Sequence, residues 1–128
     1  MFISENLSVN DCGNLTVGGY DTVSLAKEFG TPLYVLDEDL FRKNCRIYKD
    51  AIDKYYDGKG LILYANKSLC TVHTCKVAMD EGLGADVVSG GELYTAIKAG
   101  FPMDKIYFHG NNKTDDELNM AVSNGVGH

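Results

Sequence analysis

The sequence predicts an α/β fold built on a parallel sheet, and three observations carry that prediction. From Gly60 onward the chain alternates strand-like and helix-like stretches, with strands beginning at Leu61, Ala85 and Ile106. Alternation at this spacing is the repeat of parallel βα units. The strands themselves, Leu61-Ile62-Leu63-Tyr64, Ala85-Asp86-Val87-Val88 and Ile106-Tyr107-Phe108, are short apolar runs, as strands covered on both faces tend to be. Each is followed by a polar cluster, and in a parallel arrangement all such clusters fall on one rim. The pattern alone admits an open doubly wound sheet or part of a barrel.

The elements follow in order. Met1 to Gly19 is polar and rich in Asn and Gly, with Leu7-Ser8-Val9 and Leu15-Thr16-Val17 alternating around a turn at Asp11 to Asn14, which predicts a short β-arm. Val23, Leu25, Ala26 and Phe29 have helical spacing, with Gly30 and Pro32 ending that helix. Leu33-Tyr34-Val35-Leu36 reads as a strand. Asp37 can cap the next helix, whose stripe comprises Leu40, Phe41, Cys45, Tyr48, Ala51, Ile52 and Tyr55 before a turn at Asp57-Gly58. Further helices are predicted over 68–81, from Ser89-Gly90-Gly91-Glu92 to Ala99, and from Thr114-Asp115-Asp116-Glu117 toward Gly125. Gly125-Val126-Gly127-His128 is where another strand would start.

Composition narrows the function classes. The chain has 128 residues, 45% hydrophobic and 23% charged, which is ordinary for a folded soluble domain. A net charge of -6 argues against nucleic-acid binding, which needs a basic patch. No apolar run approaches a membrane span and the first residues lack a signal-peptide pattern, so a cytoplasmic location is expected. Cys12, Cys45, Cys70 and Cys75 lack metal-ligand spacing and read as free thiols, with Cys45 and Cys75 packed as small apolar residues. No metal site is predicted.

The candidate chemistry sits on the predicted rim. Lys67 follows the first strand, and a lysine walled by apolar side chains loses hydration of its ammonium form, which frees the amine to form a Schiff base. Asp86 could orient that amine and hold a proton, and His109 could stack on a flat cofactor or move protons. Each has a plainer alternative: Lys67 as a surface lysine, Asp86 as a carboxylate tied to backbone amides, His109 as a strand-end residue bonded to its own loop. Ser89-Gly90-Gly91 could cradle a phosphate, or its glycines could serve close packing. No complete nucleotide-binding motif occurs.

Four stretches carry a resemblance. Tyr64-Ala65-Asn66-Lys67-Ser68, the run from Glu81 to Leu93, Ala99-Gly100-Phe101-Pro102 and Tyr107-Phe108-His109-Gly110-Asn111-Asn112-Lys113 resemble the diaminopimelate decarboxylase family, fold-type III pyridoxal-phosphate enzymes of the alanine-racemase-like class. Thr31 to Asp37 resembles the strand preceding that family's barrel. The likeness spans the chain from about Val23, with departures at Ser68 and Leu69, where the family more often has alanine and asparagine.

The resemblance implies a fold and a function. It implies the N-terminal part of a (β/α)8 TIM-type barrel over residues 37–128, and an arm, helix and strand over residues 1–36 associated with a second, β-rich domain. It implies pyridoxal 5'-phosphate as cofactor, with Lys67 as the Schiff-base lysine, Asp86 beside it, and His109 facing the cofactor. The implied reaction is decarboxylation of meso-2,6-diaminopimelate to L-lysine, the last step of lysine biosynthesis, in a homodimer. The family's phosphate loop and substrate-selecting residues would then lie beyond residue 128, and the 128-residue piece alone is expected to self-associate and be inactive. The alternatives are a related decarboxylase acting on ornithine, arginine or carboxynorspermidine, or a fragment without activity.

Overall fold

The computed structural model describes residues 4–128, so the start of the predicted arm at Met1-Phe2-Ile3 lies outside the described residues. The chain forms two compact units that divide between Asn44 and Cys45.

The first unit opens with three antiparallel strands, β1 (Leu7–Val9), β2 (Leu15–Val17) and β3 (Tyr20–Asp21), ordered β1-β2-β3. Leu7 pairs with Val17 and Val9 with Leu15, as the alternating pattern predicts. Between them the Asn10 side chain accepts from the Cys12 and Asn14 amides and closes the turn. Asp21 joins this turn to the next element. One carboxylate oxygen receives the Asn10 and Asn14 side-chain amides, and the other caps α1 (Thr22–Phe29) by accepting from the Ser24 amide at 2.9 Å. These bonds, the Asn14 amide foremost, hold the Asp21 carboxyl down at about 2 from an ordinary 3.8.

The predicted strand at Leu33-Tyr34-Val35-Leu36 does not form. These residues pair with no strand among the described residues, all four side chains are exposed, and Tyr34 is fully so. Strand propensity needs a ladder partner to become a strand, and none is supplied here. Asp37 does cap α2 (Glu38–Tyr55), accepting from the Leu40 amide at 3.0 Å.

The second unit carries a parallel sheet of β4 (Leu63–Ala65), β5 (Gly84–Val87) and β6 (Ile106–Phe108), ordered β4-β5-β6. They alternate with α3 (Val72–Asp80), α4 (Gly90–Ala99) and α5 (Asp115–Ser123), which is the predicted βα repeat. The first strand begins at Leu63 and not Leu61, although the Ile62 carbonyl still accepts from the Gly84 amide at 2.8 Å. Helix α3 begins four residues later than predicted. Thr71 and Thr74 form a reciprocal capping box there, and Asn66–Ser68 winds into a separate 3₁₀ turn. The stripe predicted on α2 buries only Cys45, while Tyr48 and Tyr55 are 64% and 73% exposed.

The two faces of the parallel sheet differ. Ala85, Val87 and Ile106 are fully buried on the face that packs against α3 and α4, together with Cys75, Val77, Ala78, Leu93 and Ala96. Leu63, Ala65, Asp86 and Tyr107 occupy the opposite face and are only half-buried. Gly84, opposite Leu63 in the register, is buried at the start of β5, where a Cβ would lie 2.6 Å from Leu63 Cδ2 and 2.7 Å from the Lys105 carbonyl oxygen. Chain order continues past β6. His128 donates its amide to the Ile106 carbonyl and accepts from the Phe108 amide at 2.8 Å, which sets it beside Tyr107 in parallel. The two rings stack with centroids 4.1 Å apart.

Candidate active site

The carboxyl ends of β4, β5 and β6 carry the three predicted site residues. Asp86 lies opposite Ala65 on one side and Tyr107 on the other. His109, one residue past β6, is held by its amide to the Val87 carbonyl at 3.0 Å, and its Nδ1 lies 3.6 Å from Asp86 Oδ1. The structure therefore brings Asp86 and His109 together. The imidazole is 61% exposed and the carboxylate 19% exposed, so the pair faces outward from a partly covered base.

Asp86 is not the amide-tied carboxylate of the plainer alternative. Its Oδ1 is buried and has no hydrogen-bond partner. A buried, unsatisfied polar atom costs about 1–3 kcal/mol, more when charged, so this oxygen is held at a cost the fold alone does not explain.

Lys67 occupies the 3₁₀ turn Asn66–Ser68, two residues beyond the one that pairs with Asp86. Its side chain is exposed, and no ion pair among the described residues joins it to Asp86. The apolar wall expected around the amine is thus not formed among the described residues. The flanks of Lys67 are fixed instead. Asn66 is buried and bonded to the Asp86 carbonyl, and the Leu69 carbonyl accepts from the Tyr64 hydroxyl at 2.6 Å and the Thr74 hydroxyl at 3.1 Å. Burial, the leading cause, raises the Tyr64 phenol's pKa.

In and around the Ser89-Gly90-Gly91 loop, the Val88, Gly90 and Glu92 amides are already taken by side chains of this chain. Glu117, from α5, accepts the Gly90 amide at 2.7 Å, Glu92 accepts the Val88 amide at 2.8 Å, and Ser89 caps the Glu92 amide. A Cβ on Gly90 would meet Glu117 Cγ at 3.0 Å, so close packing explains that glycine. The sequence marked Glu117 only as part of an acidic first turn. Its Thr114-x-x-Glu117 capping box is legible, but its reach to Gly90 depends on the packing of two helices.

Among the described residues no group of three or more His, Cys, Asp or Glu could hold a metal ion, and no helix is long and apolar enough to cross a membrane.

The pyridoxal-binding domain of pyridoxal-dependent decarboxylases matches residues 38–128. The chain belongs to that family. Among similar proteins, diaminopimelate decarboxylase of Bacillus methanolicus is 48% identical over 99% of this chain, and that of Bacillus subtilis is 45% identical over 99%. The chain spans 29% of the length of each. Among solved structures, diaminopimelate decarboxylase from M. jannaschii in complex with L-lysine superposes with a TM-score of 0.89 at 37% identity, covering 99% of this chain and 30% of that one. A lysine/ornithine decarboxylase from Vibrio vulnificus, complexed with putrescine, gives a TM-score of 0.70 at 27% identity, covering 81% of this chain and 27% of that one.

Family membership implies pyridoxal as the cofactor, and the residues present fit it. A primary amine on a pinned turn can bond an aldehyde carbon. An orphaned carboxylate oxygen invites a cationic or protonated partner, and an exposed imidazole beside it offers a flat surface. The loop after β5 offers no free Gly90 or Val88 amide for a phosphate.

Proposed function

We propose that this chain is the lysine-bearing N-terminal part of a diaminopimelate decarboxylase, which decarboxylates meso-2,6-diaminopimelate to L-lysine. The observation that carries the reading is the agreement of relatives over nearly the whole chain. The similar proteins at 39–48% identity, matched over 90–99% of this chain, are diaminopimelate decarboxylases. A second support is that the M. jannaschii neighbour is complexed with L-lysine, the product of the proposed reaction.

In this reading residues 37–128 supply the first βα units of a (β/α)8 barrel, and residues 1–36 associate with a β-rich domain. Sheet order supports the barrel. β4, β5, β6 and His128 follow one another without the reversal that a doubly wound sheet has at its switch point. The half-buried face with Leu63, Ala65 and Tyr107 is then the inward face, which a closing barrel would cover. Homodimer formation and a cytoplasmic location, implied by the resemblance, belong to the same proposal.

The roles follow from position. Lys67 holds the cofactor covalently, at the rim where α/β proteins place their chemistry. Asp86 uses its orphaned oxygen to accept a hydrogen bond from a protonated group of the loaded site, which offsets the cost of burying it. His109, with Nδ1 3.6 Å from that oxygen, stands beside Asp86 and presents its ring to the cofactor. When bound, pyridoxal phosphate supplies the electron sink for the pair left by departing carbon dioxide.

The test is substrate discrimination by the native-length protein. Carbon dioxide release from meso-diaminopimelate in preference to L-ornithine and L-arginine is the expected result. Preference for either of the others would assign the chain to a related decarboxylase.

A further inference from the structure

We infer that Asn66 is a positioning residue that fixes the turn carrying Lys67 against the β5 backbone and against α3. The inference rests on the reading of Lys67 as the cofactor lysine. Asn66 is 1% exposed, and a primary amide so buried must have its donors and acceptor satisfied or bear the desolvation cost. Its Nδ2 donates to the Asp86 carbonyl at 3.3 Å and to the Tyr64 carbonyl at 3.5 Å. Its Oδ1 accepts from the Cys75 thiol at 3.2 Å. One side chain therefore touches β4, the backbone of the candidate carboxylate on β5, and α3.

The thiol is suited to this task. Cys75 is fully buried, and burial, with Cys70 adding to it, pushes its pKa up to about 12, so it remains S–H and a donor at neutral pH. On the far side of Lys67, Tyr64 and Thr74 tie down the Leu69 carbonyl. The lysine backbone is thus clamped at both flanks while its amine stays exposed. Of the two clamps, only Asn66 refers Lys67 to Asp86. An apolar residue could fill the same space, but could not link the lysine turn to that strand.

The experiment uses the native-length protein with added pyridoxal phosphate. It compares wild type with Asn66→Ala, Cys75→Ser and Cys75→Ala. Readouts are the thermal midpoint without cofactor, the rate of borohydride-trapped pyridoxyl labelling at Lys67, and the pH midpoint of the bound cofactor's absorbance. Asn66→Ala should stay folded, label Lys67 about tenfold more slowly or worse, and move the pH midpoint. Cys75→Ser, which keeps a donor, should follow wild type more closely than Cys75→Ala.

A folded Asn66→Ala with wild-type labelling rate and pH midpoint would overturn the inference. Should Asn66→Ala fail to fold, the two Cys75 variants decide, and identical labelling and pH midpoints in both would overturn it. Wild-type labelling on a lysine other than Lys67 would overturn the cofactor-lysine reading as well. Labelling on Lys67 that is insensitive to Asn66 overturns the positioning role alone.

Discussion

Glu117 on α5 accepts the backbone amide of Gly90 at 2.7 Å, so the entry to α4 is closed by a carboxylate 27 residues away in sequence. The same carboxylate receives the Thr114 amide at 2.9 Å and completes the capping box of its own helix. One side chain thereby ties together two helix N-termini next to the loop that follows β5.

This bridge predicts an acid limb of stability. The Thr114 and Gly90 amides hold the Glu117 pKa below its ordinary 4.5. Its contribution is present above that ordinary value and is lost as pH falls through the lower folded value. Urea midpoints for Glu117→Ala should fall below wild type at about pH 7, and the gap should narrow by about pH 3. An equal gap at both would show that the charge is not what the bridge uses.

Asp21 predicts a second, lower limb. Its folded pKa of about 2, against an ordinary 3.8, means that its bonds to Asn14, Ser24 and Asn10 persist above 3.8 and are lost as pH drops toward 2. Protection of the α1 amides, taken relative to intrinsic exchange at each pH, should fall over that window in wild type. In Asp21→Ala exchange should already be fast at neutral pH.

Gly84→Ala places a methyl group 2.7 Å from the Lys105 carbonyl oxygen and against two leucines, where backbone cannot yield cheaply. The expected cost is about 1–3 kcal/mol in chemical denaturation. A neutral effect would mean that β4 and β6 are less closely tied to β5 than the register indicates.

Asp86→Asn separates stability from function. A buried carboxylate oxygen without a partner is a cost, so the amide should leave the cofactor-free thermal midpoint equal or higher. Turnover of the loaded protein should drop by about a hundredfold or more. A fall in midpoint with normal turnover would make Asp86 a structural residue.

The order of elements was legible because each carries its own signal. Apolar runs mark β4 to β6, Ser89 and Thr114 mark the starts of α4 and α5, and Asp86 and His109 met on the rim as parallel strands require, whereas the start of α3 at Thr71 was expected at Ser68. What failed to show depended on partners distant in sequence. Leu33 to Leu36 has strand composition but no ladder neighbour among the described residues, and the α2 stripe meets no surface that buries Tyr48 or Tyr55. The clamp on the flanks of Lys67 was equally hidden, although its exposure matches the plainer alternative of a surface lysine. Nothing in Tyr64-Ala65-Asn66-Lys67 says that Asn66 will turn inward to Cys75 while Lys67 turns out.

The most direct test of the account is where the cofactor attaches. Borohydride reduction of the native-length protein with pyridoxal phosphate, followed by peptide mapping, should place the pyridoxyl group on Lys67. Lys113 is already engaged with the His109 and Gly110 carbonyls and lies 4.2 Å over the Phe108 ring, and Lys76 is exposed on α3. A pyridoxyl group on either of these, with Lys67 unmodified, would contradict the account.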